Sequence, residues 1–284
     1  MSHELELRTD GTAKFAYADR EIPWHRLGKP MHGLQTAEDM LVAAEADYDV
    51  VLSRVAAVDD DGHFILNPDG TPVIVEDSRA TLRSNLDGTF DGLATVGTRY
   101  VVAQNRECLD YALDIVGASR GDAVVDTCGV LHGGRQFFAC LDLGGLVIDP
   151  VGINDQLERY LLVHTGHDGK IAITYANTAI RSVCKNTINL GKGKARSVFT
   201  AKHTRNAGSA VEQAQEVLGI STDWAEKFQE TATQLLRTPV MAGSRQFDGL
   251  LDAVFPPKVT ETDKQKANRT DVNRTVRRLY TSDK

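Results

Sequence analysis

The segment AVVDTCGVLHGGRQFFACLDL, residues 123–143, carries the plainest structural instruction in this chain. Residues 123–131 and 135–143 are apolar runs with β-branched and aromatic side chains, and His132-Gly133-Gly134 separates them. Glycine supplies the positive φ that a tight reversal needs, so the segment predicts a β-hairpin. The same grammar recurs downstream, where residues 156–165 and 170–176 flank Gly166-His167-Asp168-Gly169. It recurs upstream as well. Residues 50–58 and 63–66 flank Asp59-Asp60-Asp61-Gly62, Asn67-Pro68-Asp69-Gly70 leads into residues 71–75, and residues 92–104 read as a further strand.

Helices are expected between and after these strands. Thr36, followed by Glu38 and Asp39, opens one that carries Met40, Leu41 and Ala44. Residues 106–116 place Leu109, Ala112, Leu113 and Val116 on one face. Residues 209–218 and 222–236 read as an antiparallel helical pair, residues 247–254 as a short helix stopped by Pro256-Pro257, and residues 264–280 as a polar helix. The expected fold is α+β: a hairpin-rich antiparallel sheet region with packed helices and a helical C-terminal part. Residues 1–20 read as a loose N-terminal arm, 21–206 as the α+β core domain and 207–284 as the helical region.

Composition excludes several classes. The chain has 284 residues, 42% hydrophobic and 25% charged, the balance of an ordinary globular protein. No run approaches the roughly 18 apolar residues of a membrane span, and the polar, acidic N-terminus does not read as a signal peptide. Cys108, Cys128, Cys140 and Cys184 stand far apart without a CxxC pair, which predicts reduced, buried thiols in a cytoplasm.

Charge points to a partner. The formal net charge is −7, divided as −15 over residues 1–168, +8 over 169–211 and zero over the remainder. The basic block has no Asp or Glu and carries Lys170, Arg181, Lys185, Lys192, Lys194, Arg196, Lys202 and Arg205, with His203. Such a block is suited to an anion, a phosphate backbone first of all, or to neutralising the acidic half within or between subunits. Ile180, Val183, Cys184, Thr187 and Ile188 recur at helical spacing, predicting a helix over residues 178–190 with Arg181, Lys185 and Asn189 as an exposed stripe. The basic residues would hold phosphates, and Asn186 and Asn189 would hydrogen-bond backbone or bases. Residues 196–204 read as a strand.

Other chemistry is thinner. His164, His167 and Asp168 are suitable metal ligands, which opens the alternative of a metal-dependent nuclease; a hairpin whose Asp-Gly turns the chain while the histidines hydrogen-bond locally is the preferred reading. Cys184 beside Lys185 has a neighbour that favours thiolate, yet its apolar face predicts a packed thiol. No Walker loop, dinucleotide fingerprint or GxSxG is spelled. Tyr175 and Phe199 offer either stacking surfaces for bases or core packing. Trp24 reads as an anchor.

Pro23-Trp24-His25-Arg26-Leu27-Gly28, Arg99-Tyr100 with Gln104-Asn105, Gly133-Gly134-Arg135, His167-Asp168-Gly169, the run from Arg181 to Thr187 and Lys202-His203-Thr204 occur in an order that resembles the phage- and plasmid-associated proteins grouped as domain of unknown function 932. The resemblance spans residues 22–217. It implies a mobile-element origin, in the cytoplasm of a bacterial host, and assigns no activity or catalytic residues. A hairpin-rich sheet followed by a basic helix is also similar in outline to single-strand annealing proteins. The expectation is a nucleic-acid-binding protein that holds single-stranded DNA as a ring or filament and promotes annealing in recombination, without a cofactor. The further alternative is a protein-interaction factor acting on a host complex.

Overall fold

The computed structural model describes residues 4–33, 35–85, 87–117, 124–148, 155–195, 197–201, 244–254 and 262–282, with Ala214, Leu218, Glu230, Thr231, Gln234 and Thr260. The protein is α+β and divides into two compact units, residues 1–148 with 155–229 and residues 149–154 with 230–284. The boundary expected after residue 206 lies outside the described residues.

Among the described residues twelve strands are numbered in chain order. The first six are β1 (Phe15–Ala18), β2 (Lys29–Met31), β3 (Val50–Ala56), β4 (Ile74–Ser84), β5 (Phe90–Gly97) and β6 (Val124–Leu131). The others are β7 (Gln136–Asp142), β8 (Leu146–Ile148), β9 (Asp155–Leu157), β10 (Tyr160–Gly166), β11 (Ile173–Thr178) and β12 (Ser197–Ala201). Seven form one sheet in the order β12-β11-β10-β7-β6-β1-β2, antiparallel throughout except for the β1–β2 pair. The hairpins β6–β7 and β10–β11 occupy the places their turn residues predict. β8 and β9 form a separate two-stranded ladder.

Both faces of the large sheet are covered. On one, α1 (Ala37–Ala43) and α2 (Asn105–Val116) bring Met40, Leu41, Leu109, Ala112 and Ile115 against Ala139, Leu141, Leu161, Val163 and Tyr175. On the other, Val183, Cys184 and Ile188, at the start of α3 (Lys185–Gly193), pack with Phe15, Tyr17, Phe138, Leu162 and Ala176. This double coverage explains why β7 and β10 read as largely apolar runs rather than alternating ones. It also corrects the N-terminus. Phe15–Ala18 is not part of a loose arm but a fully buried strand paired with β6, and it lacks polar alternation because neither face meets water. Space is tight here: a Cβ on Gly129 would stand 2.8 Å from Phe138 and 2.9 Å from Phe15. The four cysteines are free and buried.

A second sheet, β3-β4-β5, is antiparallel. It is fastened to the first by Thr81 Oγ1, which donates to the His167 carbonyl at 2.8 Å, and by Arg83, which pairs with Glu6 at 3.0 Å. The Arg83 guanidinium also lies 4.3 Å from the Tyr48 ring centre, and Tyr48 donates to the Gly134 carbonyl at 2.8 Å. The strand expected over residues 92–104 stops at Gly97, whose carbonyl accepts from Tyr100 N in a turn. Between β3 and β4 the chain reverses twice, through residues 59–62 and 67–70, and bridges Val58–Phe64 and Leu66–Pro72 hold this β-arm together.

In the second unit, α4 (Arg245–Val254) and α5 (Asp263–Ser282) match the expected C-terminal helices. Arg277 pairs with Asp248 and stacks over Phe247, while Arg269 approaches Asp252 at 3.9 Å. The helices expected over 209–218 and 222–236 lie outside the described residues apart from five single positions. Among the described residues no helix is long and apolar enough to cross a membrane.

Candidate anion-binding site

The helix expected over residues 178–190 is displaced to Lys185–Gly193. β11 persists to Thr178, whose Oγ1 accepts from Ile180 N and turns the chain. The following segment crosses the sheet, with the Ser182 carbonyl accepting from Thr127 Oγ1 at 2.6 Å. Cys184 is extended and caps α3, and Thr187 Oγ1 accepts from Val183 N and Cys184 N at 2.8 and 2.9 Å. Val183 and Cys184 are buried without being helical, so the apolar spacing arose from burial of an irregular segment.

Arg181 is consequently off the helix. Its side chain is only 10% exposed, and its Nε donates to Asp126 Oδ2 at 2.5 Å, while Nη atoms donate to the Glu21 and Ala18 carbonyls. Asp126 is itself buried at a bulge in β6. Arg181 thus ties the segment before α3 to the β1–β6 edge, and its charge is neutralised internally. The expectation that it lies exposed toward a phosphate is corrected.

Lys185 and Lys192, seven residues apart on α3, have a different setting. Lys185 Nζ donates to Gln136 Oε1 at 2.7 Å, and His164 Nε2 lies 3.2 Å from the same oxygen. An amide oxygen only accepts, so Nε2 carries the proton and Nδ1 presents its lone pair. That lone pair faces Lys192 Nζ at 3.5 Å. Burial, followed by the Lys192, Lys185 and His132 charges, pushes the His164 imidazole down to about 3, so it is neutral at pH 7. Burial also lowers both lysine pKa values, and Lys185 lowers Lys192 further. Among the described residues neither ammonium has a carboxylate within ion-pair distance; Glu4 and Asp168 act on Lys185 only from farther away. By contrast Arg8, Lys14, Arg20, Arg83, Arg106 and Arg181 all have acidic partners. The cluster gathers two ammonium groups and the Gln136 amide around two acceptors, Gln136 Oε1 and His164 Nδ1.

Around it, Asn186 and Asn189 are exposed on α3, Lys194 is exposed at its C-terminal end, and Lys170 is exposed in the β10–β11 turn. Arg196, Lys202, His203 and Arg205 lie outside the described residues. Gln136 was not expected in a site. The available signal was a polar residue heading the apolar run Phe137-Phe138-Ala139-Cys140-Leu141.

The proposed metal ligands do not converge. His164 and His167 are three positions apart, an odd step that sends strand side chains to opposite faces. His167 Nε2 meets Asn105 Oδ1 at 2.9 Å on the α2 side, and Asp168 Oδ1 accepts from Lys170 N in the turn. Tyr175 is buried, with Phe199 6.5 Å away between ring centres, so both serve the core. Trp24 is 61% exposed, edge-on to His25.

The dispersed sequence motifs meet in space at two junctions. Tyr100 donates to the Gly166 carbonyl at 3.0 Å, His167 N to the Arg135 carbonyl at 2.8 Å, and Asn105 meets His167. Elsewhere His25 Nε2 donates to the Val183 carbonyl at 3.1 Å, joining the N-terminal turn to the Cys-Lys-Asn-Thr turn. The family model described as domain of unknown function (DUF932) matches residues 92–284. The chain belongs to this family. The DUF932 match takes in the motifs from Arg99 onward, leaves Pro23–Gly28 outside, and runs past residue 217 through α4 and α5. No curated protein and no solved structure matches the chain.

Proposed function

We propose that this DUF932 protein binds nucleic acid, single-stranded DNA foremost, by holding phosphates on the α3 side of the large sheet. On this reading it acts as an oligomer in strand annealing on a phage or plasmid. One observation carries the reading: Lys185 and Lys192 are like-charged, half-buried and mutually repelling, and no carboxylate neutralises either among the described residues. A phosphate oxygen accepts from both ammonium groups and from the Gln136 amide, and so offsets the cost of gathering them. Lys170, Asn189 and Lys194 extend the donor surface along a backbone. Such contacts position a strand without reading its bases, which suits annealing, where the bases must stay free to pair.

Fluorescence titration of a labelled oligonucleotide at several salt concentrations tests this. Log affinity should fall with log salt by about 0.7 per neutralised phosphate, and Lys185→Gln with Lys192→Gln should flatten the slope by about 1.4. Absence of binding at low salt to single- or double-stranded DNA or RNA would overturn the proposal.

A further inference from the structure

The β-arm has a composition at odds with its exposure. Every residue from Val58 to Thr71 is exposed, yet the arm carries Val58, Phe64, Ile65 and Leu66, between 47% and 60% exposed. A narrow ribbon has no second layer in which to bury such side chains. The arm also carries Asp59, Asp60, Asp61 and Asp69 and, across residues 57–73, no Lys or Arg. It is at once apolar and acidic.

The complementary surface lies on the same chain. Leu190 is 51% exposed on α3, one turn before the exposed Lys194, and Val198 is 40% exposed on the edge strand β12. Val198 pairs with Ala176, which packs on the α3 side of the sheet, so Val198 stands on the same side of the sheet as α3 with its Leu190 and Lys194. No Asp or Glu occurs anywhere in residues 169–211. This face is apolar and basic.

We propose that the β-arm docks on the Leu190–Lys194–Val198 face of a second copy of this chain. Arm against arm would set four aspartates opposite four others, so each arm meets a face; passed on from copy to copy, such contacts run head to tail and close into rings or propagate as filaments. Lys185 and Lys192, turned toward Gln136 and His164, stay outside the docking surface, and Lys194 is the one residue that belongs both to it and to the outer donor surface.

Light scattering on DNA-free protein tests the contact, and its result does not depend on whether nucleic acid binds. The wild-type chain should form multimers that grow with concentration and dissociate as salt rises. Phe64→Ser with Leu66→Ser removes the arm's apolar contact, and Leu190→Ser with Lys194→Glu disables the face. All four positions are exposed, so circular dichroism should stay unchanged. Each variant alone should be monomeric. Mixed, they retain one good arm and one good face between them and should give one-to-one dimers and nothing larger. A monomeric wild type at every concentration and salt overturns the proposal. So does assembly by either variant alone, or a mixture that stays monomeric.

Discussion

His164 is held in the state its surroundings prefer rather than the one water would allow near pH 6. Its folded pKa of about 3 lies below the ordinary imidazole value of about 6.5. Between those values the unfolded chain binds the extra proton, so stability falls as pH drops. The His164 contribution is complete above about pH 6.5 and is lost at roughly 1.4 kcal/mol per unit as pH falls toward 3. Urea midpoints at pH 7, 6 and 5 should decline for the wild type, and His164→Gln should flatten that decline above pH 5, where most carboxylates stay ionised. Arg181 makes a second residue-scale prediction. Arg181→Ala leaves Asp126 buried with only the more exposed Arg20 as a partner and should cost up to about 3–5 kcal/mol, read as a lowered melting temperature. Lys194→Ala, at an exposed position, should stay within about 0.5 kcal/mol. Equal effects from the two would contradict the placement of Arg181.

Among the elements, α3 depends on one side chain at its start. Thr187 Oγ1 receives two backbone N–H groups and donates to the Cys184 carbonyl. Thr187→Val keeps the shape and strands those donors, so it should destabilise by about 1–3 kcal/mol, measurable by chemical denaturation. Gly129→Ala should cost a similar ~1–3 kcal/mol through overpacking between Phe15 and Phe138, which have a whole sheet behind them and little room to move. The hairpins were legible because their turns are chemically distinctive: Gly133-Gly134 and Asp168-Gly169 name the reversal wherever it folds. The start of α3 was not. Ile180, Val183 and Cys184 are spaced as a helix face, but what they share is proximity to a sheet that covers an irregular crossing. The buried strand at Phe15–Ala18 was missed for the complementary reason, since four residues covered on both faces carry no periodic signal.

Over the whole molecule, the division of charge was visible in residue order alone, whereas its neutralisation was not. Arg181 pairs with Asp126 fifty-five positions earlier, and only folding shows that this cation is spent while Lys185 and Lys192 are not. The same holds for Gln136 and His164, which become neighbours of the lysines through sheet register. The interior also holds Cys108, Cys128, Cys140 and Cys184 as free thiols at 0–2% exposure, spread over α2, β6, β7 and the turn before α3. A thiol-specific reagent can reach them only when the structure opens. Each cysteine is therefore a chronometer for its own neighbourhood, and burial further slows Cys108, Cys128 and Cys140 by disfavouring their thiolates. Residue-resolved alkylation in the native buffer would separate local fraying at α3, reported by Cys184, from rupture of the sheet, reported by Cys128 and Cys140. If a strand of nucleic acid lies across α3, it should slow Cys184 first and leave the two sheet thiols to keep their own time.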